Sequence, residues 1–193
     1  VRIALRHERT LPQGSDPGYD GPSPIAAPNQ IPGAGEETEM SEKFDEAAGH
    51  RHFSAACFNA TWTFIDKADR SEDETEAMIH ASHASLHHWR ARADVTDLQL
   101  SVGYWQLSRV YSEARRGEEA LRYGLLSLEA ARRGALEPFY SAYAREALAR
   151  AAALLGRRAE AASFLEEARE DAARVTDAES RKVLESDLSG IAL

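Results

Sequence analysis

The stretch "GEEALRYGLLSLEAA" (residues 117–131) has a counterpart in "GRRAEAASFLEEAREDA" (residues 156–172). The two segments align when Ala120 is placed on Ala161, and a third segment, around Ala77, follows the same frame. Counted between these alanines, the pattern recurs after 43 residues and then after 41, so the chain contains an internal repeat. Each segment has two small residues seven positions apart, and these pairs are Ala77 with Ala84, Ala120 with Ser127, and Ala161 with Ala168.

Small residues at this spacing lie two helical turns apart and therefore share one face of a helix. A face of small side chains lets a partner helix approach closely. Units of this kind bury their faces against one another in stacks of helical hairpins. The repeat therefore predicts an all-α fold, a right-handed stack of three antiparallel helical hairpins.

Helix boundaries can be placed along the chain after Ser41, where Ala, Leu, Glu and Arg dominate and Pro138 is the one proline. Ser71 and Glu74 have the spacing of a capping box, in which each side chain accepts a hydrogen bond from a backbone N–H at the helix start. Together the boundaries predict about seven helices. The other signals are Ser41 as the first N-cap, the apolar stripe Phe44, Ala48, Ala55, Phe58, Trp62 and Ile65, Thr96 or Asp94 as an N-cap, Gly117 at a turn, Gly134 as a C′ residue, Gly156 at another turn, and Asp177 as the last N-cap.

The last predicted helix, residues 177–191, is short and carries an apolar face. Terminal units of a helical stack must cover the open side of the last hairpin. We expect this helix to do so through Val183, Leu184, Leu188 and Ile191.

The first 39 residues have a different composition, with six of the seven prolines and five of the twelve glycines. A segment of this kind buries too little apolar surface to offset the entropy of ordering it. We therefore expect residues 1–39 to be a disordered tail and residues 40–193 to form the helical domain. The initial Val and the position of Met40, directly before a helix start, also favour Met40 as the natural first residue.

The net charge and the composition indicate which classes of molecule the protein is expected to bind. The 193 residues carry a net charge of −9, and an acidic protein repels phosphate backbones and anionic membrane surfaces. Cys57 is the one cysteine, and no run of 18 apolar residues occurs. We therefore expect a cytoplasmic protein without a nucleic-acid or membrane partner.

Within the second repeat, "YWQLSRVY" (residues 104–111) resembles the first helix of a tetratricopeptide (TPR) repeat. The family's Trp, Leu, Gly and Tyr correspond here to Tyr104, Leu107, Ser108 and Tyr111. The resemblance covers about residues 41–175. The repeat is longer than the family's 34 residues, Gly124 stands where an aromatic is expected, and no proline closes the units. These features are similar to longer-repeat bacterial TPR-like proteins of unassigned function. The third unit matches at Leu148, Ala149, Gly156, Ala161, Phe164 and Ala168.

The TPR resemblance implies a groove lined by the first helix of each hairpin. Aromatic side chains supply contact area there, and arginine can bind a carboxylate with two parallel hydrogen bonds. A protein, a peptide or a small acidic ligand is the implied partner. Alternatively, the aromatic residues pack between hairpins and the arginines pair with neighbouring glutamates. The implied groove residues are Asn59, Trp62, Asp66, Trp105, Arg109, Ser112, Tyr143, Glu146 and Arg150.

The segment "MIHASHASLHHW" (residues 78–89) contains four of the seven histidines. At 100° per residue, His80, His83 and His87 lie within an arc of about 60° on a helix, and Glu76 extends the stripe. Imidazoles three and four residues apart can share a metal ion such as Zn²⁺, or can sense pH. The alternative is an ordinary solvated polar face.

No catalytic motif accompanies these features. The sequence has no P-loop, GxSxG, GxGxxG or HExxH pattern, and Cys57 lies among apolar neighbours in a predicted helix. We therefore predict a non-enzymatic binding or scaffold module without a cofactor, with a homodimer as one possible assembly. A histidine-rich metal-binding protein that uses His80, His83 and His87 is the alternative.

Overall fold

The computed structural model describes residues 44–193, and these residues contain seven α-helices and no strand. The expectations for residues 1–39, for Met40 and for Ser41 lie outside this range. Residues 46–193 belong to one compact unit. The helices are α1 (Glu46–Ile65), α2 (Glu72–Ala91), α3 (Asp97–Glu113), α4 (Gly117–Arg133), α5 (Pro138–Leu154), α6 (Arg158–Ala173) and α7 (Ala178–Ser189).

Consecutive helices pair as antiparallel hairpins, α1 with α2, α3 with α4, and α5 with α6. The hairpins stack in chain order, because α2 packs on α3, α4 packs on α5, and α3 also contacts α5. This arrangement confirms the predicted all-α fold of stacked hairpins. The right-handed sense of the stack stays a prediction.

In α4 and α6 the small residues of the repeat lie where helices pack closely, whereas Ala77 and Ala84 of α2 are only half-buried. Ala120, Ala161 and Ala168 are fully buried. Between α3 and α4, the Ser101 and Ser127 hydroxyls each donate to the other residue's carbonyl, at 3.1 and 2.9 Å. Such pairs need backbones in close contact, so in α4 and α6 the spacing of seven marks the buried face.

Close packing explains why residue 124 is glycine, where the TPR pattern has an aromatic residue. A Cβ atom at this position would lie 2.8 Å from Leu148 Cδ2 on α5. The aromatic residue that the TPR pattern places here would therefore overlap the next hairpin. The close contact between α4 and α5 explains the departure from that pattern.

Three helices, α2, α3 and α7, begin at predicted N-caps. Ser71 and Glu74 form the capping box, and the Asp177 carboxylate accepts a hydrogen bond from the Ser180 N–H at 2.7 Å. Thr96, paired with the Gln99 side chain, is the N-cap of α3. Asp94 instead binds Arg92.

Two predicted boundaries need correction. Phe44, assigned to the stripe of the first helix, precedes α1 and is 73% exposed. Ala48 and Ala55 of the same stripe are also exposed, and the buried residues of α1 are Ser54, Phe58 and Thr61. Gly134 is the C-cap of α4 with a right-handed φ, whereas Ala135 adopts the left-handed φ of 46°. Glycine at position 134 is explained by space instead, because its Cβ would lie 2.6 Å from Asp97 Cβ.

Helix α7 packs on α5 and α6, as expected for a covering helix. Leu184 and Leu188 are buried, whereas Val183 and Ile191 are half-buried. Ile191 lies beyond the end of the helix. Between residues 44 and 193, no helix combines the length with the apolar composition that a membrane span requires.

Candidate functional site

A row of aromatic rings connects the first helices of the three hairpins. The Trp62 ring on α1 lies 5.8 Å from the Trp105 ring on α3, and Trp105 lies 5.6 Å from Tyr143 on α5. Phe139, one turn before Tyr143, continues the row at 4.9 Å. We call the surface of α1, α3 and α5 that carries this row the odd-helix face.

Burial along the row is uneven. Trp105 is 5% exposed and Tyr143 is 2% exposed, whereas Trp62 is half-buried. Asn59 on α1 is exposed, and so is Asp66, which lies just beyond the end of α1 in the turn that follows it. Of the two interpretations of the aromatic residues, packing between hairpins therefore describes Trp105 and Tyr143. The solvent-accessible part of the row is at α1.

A buried carboxylate next to the aromatic row binds two polar side chains. Glu146 on α5 is fully buried, accepts a hydrogen bond from Trp105 Nε1 at 3.4 Å, and forms an ion pair with Arg150. The Tyr143 hydroxyl donates to Asp187 of α7 at 2.9 Å. Burial, followed by the neighbouring Asp187 charge, raises the pKa of Tyr143 well above its usual range. Tyr143 therefore serves as a hydrogen-bond donor.

The two groove arginines are close enough to influence each other. Arg109 pairs with Glu113 at 2.8 Å, and Arg70 reaches the same carboxylate at 3.4 Å. Burial, together with the positive charge of Arg109, lowers the pKa of Arg150 to about 10. Both arginines are paired with glutamates, yet the Arg109 and Arg150 side chains keep 30% and 22% of their surface exposed.

Two buried donors on this face have no hydrogen-bond partner among residues 44–193. They are Arg150 Nη1 and the Ser112 hydroxyl, which lies on α3 about one turn beyond Arg109. Buried polar groups are nearly always paired, so each such atom needs a physical explanation. Arg70 Nε is a third atom of this kind.

Three charged residues that contact the predicted groove residues were not predicted from the sequence. They are Arg70, Glu113 and Asp187. Only Glu113 had a local signal, because it follows Arg109 by four residues on one helix. Arg70 lies in the turn after α1, and Asp187 lies 44 residues from Tyr143. Their positions depend on how the hairpins stack.

The histidine stripe of α2 does not act as one group. His83 turns towards α3, where its Nε2 lies 2.8 Å from the Tyr111 hydroxyl, and its ring lies 5.7 Å from the Tyr123 ring of α4. Burial, with a smaller effect of the His80 charge, lowers the pKa of His83. His80 and Glu76 are exposed. Within residues 44–193, no three His, Cys, Asp or Glu side chains are arranged to hold a metal ion.

Other histidines meet between α1 and α2. His50 Nδ1 lies 2.8 Å from His88 Nδ1, and the His87 ring lies 5.3 Å from the His88 ring. Phe53 packs on His88 at 5.4 Å, and Glu46 lies 3.6 Å from His50 Nε2. Burial, followed by the charges of His50 and His87, lowers the pKa of His88. No local pattern predicts this pair, because its members are 38 residues apart.

A separate surface depression of about 400 Å³ lies between the start of α3 and the turn after α4. It does not include any residue of the odd-helix face. Its lining residues are Val95, Thr96, Asp97, Leu98, Leu100, Gly134 and Leu136.

In comparisons with known proteins, no family model, no curated protein and no solved structure matches this chain. The TPR-like interpretation therefore depends on the residues quoted above and on the stacked hairpins.

Proposed function

We propose that this chain is a non-enzymatic, TPR-like binding module whose odd-helix face takes a protein or peptide segment that carries a carboxylate. The unpartnered Nη1 of Arg150 is the observation that supports this most. A guanidinium can only donate hydrogen bonds, so its missing partner must be an acceptor. A small acidic ligand could supply the same group.

The energetics favour an anionic acceptor. Leaving a buried donor unpaired costs about 1–3 kcal/mol, and a bound acceptor would remove that cost. Arg109 adds to the argument, because its charge disfavours the charged form of Arg150. A carboxylate near both guanidinium groups would offset this repulsion and could be held by two parallel hydrogen bonds.

The exposed end of the aromatic row would supply the apolar contact. Trp62 is half-buried, and Asn59 beside it is exposed. Tryptophan and arginine are the residues most often found at the energetic centres of protein interfaces. A partner segment that runs from Trp62 to Arg150 would use both kinds of contact. The single cysteine and the acidic charge fit a cytoplasmic setting for such a module.

A peptide array tests this proposal. Purified full-length protein is applied to random octapeptides that contain one fixed Glu, with the Gln versions of the same peptides alongside. The strongest binder is then measured by calorimetry against the wild type, Arg109→Ala and Arg150→Gln. Arg132→Ala serves as a control, because Arg132 is exposed on α4.

We expect the Glu peptides to bind better than their Gln versions. Both groove variants should weaken binding roughly tenfold or more, which corresponds to about 1.4 kcal/mol, and Arg132→Ala should not. Equal binding of Glu and Gln peptides would contradict a carboxylate ligand. Equal effects of Arg109→Ala and Arg132→Ala would show that the odd-helix face is not the binding surface.

A further inference from the structure

We propose that His50 and His88 form a binding site for one divalent transition-metal ion, with the two Nδ1 atoms as its protein ligands and water in the remaining positions. This site is independent of the odd-helix face. It also differs from the predicted stripe of His80, His83 and His87, which are not arranged to hold a metal ion in the described part of the chain.

The distance between the two nitrogens carries the inference. At 2.8 Å, His50 Nδ1 and His88 Nδ1 point at a single position between α1 and α2. With neutral rings, one Nδ1 carries a proton there and the other presents its lone pair. A metal ion bound to both nitrogens at ~2.0–2.1 Å would hold them roughly 3.3 Å apart, so the rings need to separate by about half an ångström.

Neighbouring side chains support the ring orientation that a metal requires. In the metal-bound state each neutral ring carries its proton on Nε2. His50 Nε2 lies 3.6 Å from the Glu46 carboxylate, which can accept from that N–H as carboxylates behind metal-bound histidines commonly do. On the other side, Phe53 packs against the His88 ring and limits its rotation.

The number of ligands sets the kind of site. No third side chain in the described part of the chain converges on the same point, and the His87 ring is a neighbour at 5.3 Å from His88. Structural zinc sites use four protein ligands, so a two-histidine site is open and its ion exchangeable. Imidazole ligands favour Zn²⁺, Ni²⁺ and Cu²⁺ over Mg²⁺ and Ca²⁺.

Binding would have a structural consequence. The two ligands lie on different helices of the first hairpin, so the ion would join the first half of α1 to the last turn of α2. A ligand that binds only the folded state stabilises it by RT ln(1 + L/Kd), where L is the concentration of the free ion, so the effect grows with that concentration. Zinc should therefore raise the melting temperature of the whole chain.

The experiment uses the full chain without a histidine tag, with ZnCl₂ as the titrant in calorimetry and CuCl₂ for electron paramagnetic resonance. The variants are His50→Gln and His88→Gln. His80→Gln is the matched control, because His80 is an exposed histidine of the same helix as His88. Melting curves in EDTA establish that each variant is folded.

We expect one saturable zinc ion per chain, a zinc-dependent rise in melting temperature, and copper spectra with two nitrogen ligands. Each of His50→Gln and His88→Gln should weaken zinc binding roughly tenfold or more, and His80→Gln should leave it unchanged. If either variant fails to fold, the wild-type copper spectrum still decides the ligand number. A spectrum with fewer than two nitrogens, or equal losses in His80→Gln and His88→Gln, would overturn the site.

Discussion

Trp105 on α3 donates a hydrogen bond from Nε1 to Glu146 on α5, and both side chains are buried. The same carboxylate is paired with Arg150. One acidic group therefore satisfies an indole donor of the second hairpin and a guanidinium of the third. A buried charge of this kind is stable only while its partners remain in place.

Removing the Glu146 carboxylate should destabilise the fold strongly. Glu146→Ala leaves the Arg150 charge and the Trp105 N–H without their acceptor, and breaking a buried pair in this way costs about 3–5 kcal/mol. Glu146→Gln keeps an acceptor and should cost less. Urea unfolding measures both changes. Glu118→Ala is the control, because the Glu118–Arg157 pair is exposed and should contribute about 0–1 kcal/mol. An equal loss in Glu146→Ala and Glu118→Ala would contradict the role of Glu146.

Overpacking the small face of the repeat should also destabilise the stack. Ala161 on α6 is fully buried, so Ala161→Leu forces α5 and α6 apart and should cost about 1–3 kcal/mol. Ala120→Leu should act in the same way between α3 and α4. The neighbouring Ala162 is exposed, and Ala162→Leu should change the free energy of unfolding little. Similar values for the Ala161 and Ala162 variants would show that the assigned face is wrong.

The covering role of α7 predicts a cavity effect. Leu184 is fully buried in a helix that packs on α5 and α6, so Leu184→Ala should cost about 2–5 kcal/mol. Leu193→Ala is the comparison, since Leu193 is 50% exposed near the same end of the chain. Chemical denaturation would measure both. If Leu184→Ala unfolds at the wild-type midpoint, α7 does not contribute to the stability of the last hairpin.

Stability should fall as the solution is acidified, and His83 should account for part of the change. Burial holds the pKa of His83 below its ordinary value of 6.5, so the folded state prefers the neutral ring. The unfolded chain therefore takes up the proton first, and the contribution of His83 is present above pH 6.5 and is lost as the pH falls through 6.5 towards the lowered value. The groups around this ring are Tyr111, Tyr123 and His80.

The measurement is the difference in unfolding free energy between pH 7 and pH 5. His83→Gln should show a smaller difference than the wild type, because Gln does not titrate. His52→Gln, at an exposed position of α1, should behave like the wild type. His88 contributes to this pH 7 to pH 5 difference in all three proteins, so its effect cancels when they are compared. If His83→Gln shows the same difference in unfolding free energy as the wild type, the His83 ring does not contribute to the pH dependence of stability.

Local signals in the sequence determined the helices and their pairing. The Ser71–Glu74 capping box and the Asp177 cap depend on residues three apart, so they form wherever the chain turns into a helix. The spacing of seven between Ala161 and Ala168 places both on one helical face whatever the partner is. For these reasons the hairpin stack could be predicted, although Phe44 and Gly134 were placed wrongly.

The candidate sites depended on how each helix is rotated and shifted against its neighbour. Periodicity grouped His80, His83 and His87, but the packing of α2 turned His83 towards Tyr111 and brought His88 against His50, 38 residues away. The same is true of Tyr143 and Asp187, which are 44 residues apart. A repeat pattern predicts which face of a helix is buried. The rotation and register of packed helices, set by side-chain volumes across the interface, decide which polar groups on the remaining faces meet.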